Sequence, residues 1–215
     1  MPAQTVVWCA PEVRNAARWT EAIPHARNFN GAAAILPQAR TEIVVTELFA
    51  RFIHYKTRLH LFQSVLISVL EVAPPLGLLF QSSQKILQPQ AYLQSQSPDG
   101  VYQPLFGAVN VRQFRVSDSP AGDVVMDSLG LCEFGLPDIQ MHFRDLNCGQ
   151  IAGMLYSLAE YIYDNGDIVE DGHTTQGVTE RDRWKCRHEM SLIKPARVVL
   201  DIDPGAPFAA GGRKR

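Results

Sequence analysis

Apolar and polar positions follow two rhythms along this chain, and both are clearest in the second half. In "PDIQMHFRD", residues 137 to 145, Ile139, Met141 and Phe143 recur at every second position, with Gln140, His142 and Arg144 between them. That alternation predicts a strand with one apolar and one polar side. The rhythm then changes. Ile151, Met154, Leu155, Leu158, Tyr161 and Ile162 form a single helical stripe, and Asn147 with Gln150 three residues on makes a capping-box pattern at its start. Asn165-Gly166 supplies the stop. Upstream, "LFGAVNVRQFRVS" and "GDVVMDSLGLCEFG" flank the turn "DSPAGD" and predict a hairpin. Downstream, "DIVEDGHTTQGVTERDRW" reads as a short strand, a turn and a loop, and "WKCRHEMSLIKPARVVLDIDP" as one or two closing strands.

The first half is less regular. Thr5 to Cys9 is a short apolar run, and "PEVRNAARWTEA" has helical spacing after Pro11 and before Pro24. "NGAAAILP", residues 30 to 37, reads as a buried strand between turn residues. From Val44 to Leu70 apolar residues step by three or four behind Thr41 as a cap. One helix over residues 42 to 72 would be about 45 Å long, at about 1.5 Å per residue. A break near His54 to Arg58 is therefore expected, and the β-branched opening "TEIVV" allows a strand; one helix or two elements stays open. A strand at 76 to 81 follows. Residues 82 to 104 read as a Gln-, Ser- and Pro-rich connection with a short helix near Pro89 to Ser95, closed by the turn "SPDG".

This element order predicts an α+β fold: a mixed, largely antiparallel sheet with helices packed on one side, with two ferredoxin-like halves as a variant. The expected divisions are residues 1–96, residues 97–204 and a loose, Gly- and Ala-rich tail at 205–215. The chain has 215 residues, enough for one large or two small domains. Its net charge of -2 argues against a general binder of nucleic acid or membrane surfaces. Cys9, Cys132, Cys148 and Cys186 are scattered, with no C-x-x-C pair, as expected of free thiols in a reducing compartment. The apolar window 59 to 80 is interrupted by Gln63, Glu71, Pro74 and Pro75, unlike a membrane span. No leader pattern opens the chain, so the expected location is the cytoplasm.

The candidate chemistry gathers at the joint of strand and helix. Pro137, Asp138, His142, Arg144 and Asp145 are accounted for by turn chemistry, a polar sheet face and the helix start. The sharper alternative is a nucleophilic Cys148 in the first turn of the helix, with His142 as base. Cys186 and His188 share a strand face and are the candidate metal pair, although the spacing matches no common zinc pattern. Asp167, Glu170 and Asp171 form an acidic turn that can meet a basic partner, and Arg183, Lys185 and Arg187 line a basic strand face opposite Trp184 and Cys186. No phosphate-loop, dinucleotide or serine-elbow pattern is present, and no cofactor is expected.

Residues 123 to 174 also resemble a known family. The runs "MDSLGL", "FGLPDIQ", "HFRDL", "IAGMLYSLAEYIYDNGD" and "IVEDGHT" are similar, in this order, to the bacterial domain of unknown function 4261. The resemblance carries no catalytic residues. It implies a setting among bacterial secretion, toxin and immunity genes. The expectation is therefore a non-catalytic interaction module, an immunity or secretion-associated factor whose partner is another protein such as a toxin or secretion component. A cysteine hydrolase or transferase using Cys148 and His142, and a part of a secreted effector, are the alternatives. Self-association into a homo-oligomer stays open.

Overall fold

The computed structural model describes residues 4–13, 16–26, 29–97, 102–117, 119 and 122–211. Part of the "SPDG" turn, part of the "DSPAGD" turn and the basic end of the tail lie outside the described residues. The chain divides into two compact units, Met1–Ala108 and Val109–Arg215. The fold is α+β, with largely antiparallel sheets.

In the first unit β1 (Gln4–Ala10) pairs antiparallel with β2 (Glu42–Leu48), Gln4 opposite Leu48 and Ala10 opposite Glu42. Between them lie α1 (Ala16–Ala22) and α2 (Ala32–Ile35), each followed by a turn of 3-10 helix. The stretch expected as a strand at 30 to 37 is thus a turn followed by helix from Ala32 onward. The three consecutive alanines are the best helix formers, and a short apolar run has no period to oppose them. Ala22, Phe29, Ala32, Leu36 and Ile86 make one core cluster.

The long periodic region resolves into two elements. Ile43, Val44, Val45 and Thr46 are β-branched and extend as β2. Phe49, at φ 58°, and a 3-10 turn at Ala50–Phe52 then break the chain before α3 (Tyr55–Val72). The expected connection at 82 to 104 holds β4 (Lys85–Leu87), paired antiparallel with β3 (Leu78–Phe80), and α4 (Pro89–Ser95); α5 (Leu105–Ala108) follows it. Leu66 and Leu70 of α3 pack with Leu78, Leu87 and Tyr92 as a second cluster. Buried Gln63 ties α3 to the connection. Its amide donates to the Pro104 carbonyl at 2.8 Å, and its oxygen accepts from the Tyr102 hydroxyl at 3.1 Å.

The second unit is built on one six-stranded sheet. Its strands are β5 (Asn110–Arg115), β6 (Val124–Leu129), β7 (Asp138–Phe143), β8 (Thr174–Thr175), β9 (Trp184–Met190) and β10 (Val198–Asp203). The spatial order is β5-β6-β7-β10-β9-β8, with β7 and β10 parallel and the other pairs antiparallel. Among the described residues neither unit has the ferredoxin-like order: the first splits into two-stranded ladders, and the second carries its one long helix between β7 and β8.

That helix, α6 (Cys148–Asn165), is capped by Asn147, whose side chain accepts from Gly149 N and Gln150 N. It packs against β5, β6 and β7. Its buried residues Ile151, Leu155, Ala159 and Ile162 meet the apolar sheet face of Met126, Ile139, Met141 and Phe143. The stretch after β10 is not loose as far as Gly211: Ala209 bridges Phe143, Phe208 O accepts from Arg144 N, and Ala210 N donates to His142 O.

Candidate functional site

The register assigns every side chain of the sheet to one of two faces. Arg112, Asp127, Gln140, Asp201 and Arg187 stand opposite one another across five strands. By alternation Asp138, His142 and Lys185 share that face, and Cys186 and His188 share the face under α6.

Over the polar face lies a lattice of paired charges. Asp127 and Asp138 are both 0% exposed. Arg112 grips Asp127 through Nε and Nη2. Arg197 donates from Nε to Asp138 at 2.7 Å and from Nη2 to Asp127 at 2.8 Å and to Ser128 O at 2.7 Å. Its Nη1 holds the carbonyls of Ile193 and Pro195 at 3.2 and 2.9 Å. All five N–H groups of the guanidinium are used. Burial works against its charge, but Asp127 and Asp138 outweigh it and hold its pKa above the ordinary value. Gln140 extends the lattice, donating to Asp201 and accepting from Leu192 N at 2.7 Å. The loop 191–197 is thereby strapped over the sheet. Asp138 also accepts from Leu131 N at 3.0 Å, the turn role its position after Pro137 predicts. The rest of the lattice spans too much sequence for spacing to reveal; a lone Asp127 inside the apolar run "VVMDSL" is its one local sign.

His142 lies on this polar face, its Nε2 3.9 Å from Asp123. Arg144 pairs with the same carboxylate at 3.0 Å. A Cβ at Gly211 would come within 2.5 Å of the imidazole, so the C-terminal stretch closes over it. Cys148 starts α6, which packs on the opposite face. The structure therefore places the two candidates for nucleophile and base on either side of the sheet. Of the other thiols, Cys132 is pushed up to about 12 by burial and by Asp138. Cys186 is buried and raised by that burial. All four cysteines are free.

His188 is engaged elsewhere than in the expected metal pair. Its Nδ1 lies 2.8 Å from Asp171 and its Nε2 3.2 Å from Asp167. Both nitrogens facing carboxylates is an arrangement satisfied by the doubly protonated ring. Partial burial opposes that charge, but Asp171 and Asp167 outweigh it and raise the His188 pKa. Asp171 also accepts the His188 backbone N–H at 2.7 Å, which with the imidazole holds its carboxyl below the usual range. Among the described residues no group of three or more His, Cys, Asp or Glu is placed to hold a metal ion.

This clasp completes a sheet edge. β8 covers only Lys185 and Trp184 of β9. Beyond it Gly172 N donates to Cys186 O, Cys186 N to His173 O, and His188 N to the Asp171 carboxylate. The loop after α6 is thus laid along β9 as a substitute strand. Beside it opens a cavity of about 740 Å³, lined by Leu158 and Tyr161 of α6, Ile168, Val169 and His173 to Gln176 of the loop, and Cys186. The acidic set divides in two: Asp167 and Asp171 hold His188, whereas Glu170, 83% exposed, faces solvent beside His173. Of the basic set, Arg183 donates to the Glu180 and Asp182 carbonyls, and Lys185 and Arg187 are exposed on the sheet face away from the cavity.

The second unit is thus a six-stranded α+β domain with a strapped charge lattice on one face and a clasped acidic loop on the other. Residues 127–203 match the family model described as Domain of unknown function (DUF4261). The match runs from Asp127 of the lattice to the end of β10 and encloses the clasp. No curated protein and no solved structure matches the chain.

Proposed function

We propose that this protein works by binding another protein, and that the acidic loop beside the cavity receives a basic, partly apolar segment of that partner. The observation that carries this is an unbalanced charge around an open concavity. Between Arg144 and Arg181 the chain has no lysine or arginine, while Glu160, Asp164, Asp167, Glu170 and Asp171 cluster at the end of α6 and the loop. Burial first, and the nearby Asp164 second, raise the Glu160 carboxyl, as expected where negative charges are crowded. The cavity wall carries Leu158, Tyr161, Ile168 and Val169, an apolar floor within an acidic rim. Such a site attracts cations at long range and buries an apolar anchor at short range. A partner of the toxin or secretion-component kind implied by the family resemblance is the proposed occupant.

The test uses the immobilised chain and an extract of its source organism. Asp164→Lys and Glu170→Lys reverse charge without touching the clasp. A partner retained by the wild type, released by salt and lost from both variants supports the reading. Identical retention by all three forms rejects it.

A further inference from the structure

The clasp has an asymmetry that bears on the cavity. The Asp171 side of His188 is doubly tied, by the ring at 2.8 Å and the backbone N–H at 2.7 Å. The Asp167 side is held by the ring alone, at 3.2 Å. A neutral imidazole has one N–H to give. The shorter, doubly tied contact keeps it, which leaves a bare Nε2 lone pair against the Asp167 carboxylate. Ile168 and Val169, which follow Asp167 directly, are walls of the cavity.

We propose that His188 is a proton-dependent latch on this wall: protonated, it holds Asp167 and fixes Ile168 and Val169 in place; deprotonated, it releases them while Asp171 keeps the rest of the loop on β9. This rests on the proposed docking role only for its purpose, not for its mechanism. The groups around the ring agree with the direction. On the loop stand Asp167, Glu170, Asp171 and His173, and Asp164 lies in the last turn of α6. Across the ladder β10 presents apolar Leu200. Arg187 precedes the ring on the other sheet face, paired with Glu189 at 3.8 Å, and acts on Asp171. Both carboxylates that touch the imidazole favour its charged form, so the latch is closed at low pH and opens as pH rises through the His188 pKa. A proton bound tenfold more tightly in the closed loop than in the open one changes the opening equilibrium about tenfold.

Amide hydrogen exchange of the whole chain, corrected for the intrinsic effect of pH, reads this without a partner. His188 should titrate above free histidine by NMR. Amides 167 to 169 should exchange about tenfold faster or more above that pKa than below it, while Gly172 and Cys186 stay protected. In Asp167→Asn the same amides should be fast at every pH, and His188→Gln, with helix content checked by circular dichroism, should behave alike. A His188 that titrates at or below free histidine, or exchange at 167 to 169 that ignores pH in the wild type, overturns the latch. Loss of binding in Glu170→Lys with no latch leaves docking standing, and a latch without binding leaves the latch standing.

Discussion

Asp127 and Asp138 are buried charges that strand neighbours alone do not neutralise; Arg197, 70 and 59 residues away from them respectively, completes the balance. Removing one partner of a buried pair strands the other, at a cost of about 3–5 kcal/mol. Arg197→Met is therefore expected to lower the unfolding free energy by roughly that amount in urea titration. Arg197→Lys should rescue little, because an ammonium cannot reach two carboxylates and three carbonyls at once. Lys85 is the opposite case. Its Nζ lies 4.8 Å from the centroid of the Phe106 ring, and burial pushes its pKa down to about 8. Its folded pKa lies below the unfolded one, so the unfolded chain holds the proton more tightly between them. Stability should rise as pH climbs from about 8 toward the ordinary lysine value near 10.4. Lys85→Met should raise the melting temperature most at neutral pH, and the gain should shrink in alkaline buffer.

At the scale of elements, α6 joins sequence and fold most directly. Asn147→Ala should cost about 1 kcal/mol by loss of the cap, and Leu155→Ala about 2–5 kcal/mol by leaving a hole against the sheet. Both are measurable as shifts of the denaturant midpoint. Cap, stripe and stop of this helix are legible in the residues because each is a local signal. The alternation of β7 is legible for the same reason, as is that of β9, where Trp184 and Cys186 are buried between exposed Lys185 and Arg187. Residues 30 to 37 are misread as a strand because eight residues carry no period. The β2 and α3 region yields two elements only because β-branching and length both argue against one helix. The clasp and the lattice are not legible. His188 meets Asp171 and Asp167 at separations of 17 and 21 residues, and a lone histidine near an acidic turn carries no mark of that meeting.

For the whole molecule, the charge pattern matters more than the total. A net charge of -2 conceals an acidic segment of about a sixth of the chain, and long-range attraction follows the segment. The clasp should make stability depend on pH from two sides. The contribution of Asp171, whose pKa is lowered, is present above the ordinary carboxylate value and lost as pH falls through its folded pKa. That of His188, whose pKa is raised, is complete below about 6.5 and lost as pH climbs through its folded pKa. Melting curves of the wild type and His188→Gln should therefore differ most in mildly acid buffer and converge at alkaline pH. A final consequence follows from the place of β10, the last strand among the described residues and an interior one in the sheet. While the polypeptide is still leaving the ribosome, β6 and β7 wait with two carboxylates and only the Arg112 guanidinium of β5, and the central seam beside β7 stays open. Folding of this half should therefore wait until Arg197 and β10 have emerged together. Beyond any signal from the first unit, an arrest-peptide force profile should show no rise for this half until residue 203 has cleared the exit tunnel, and then one step.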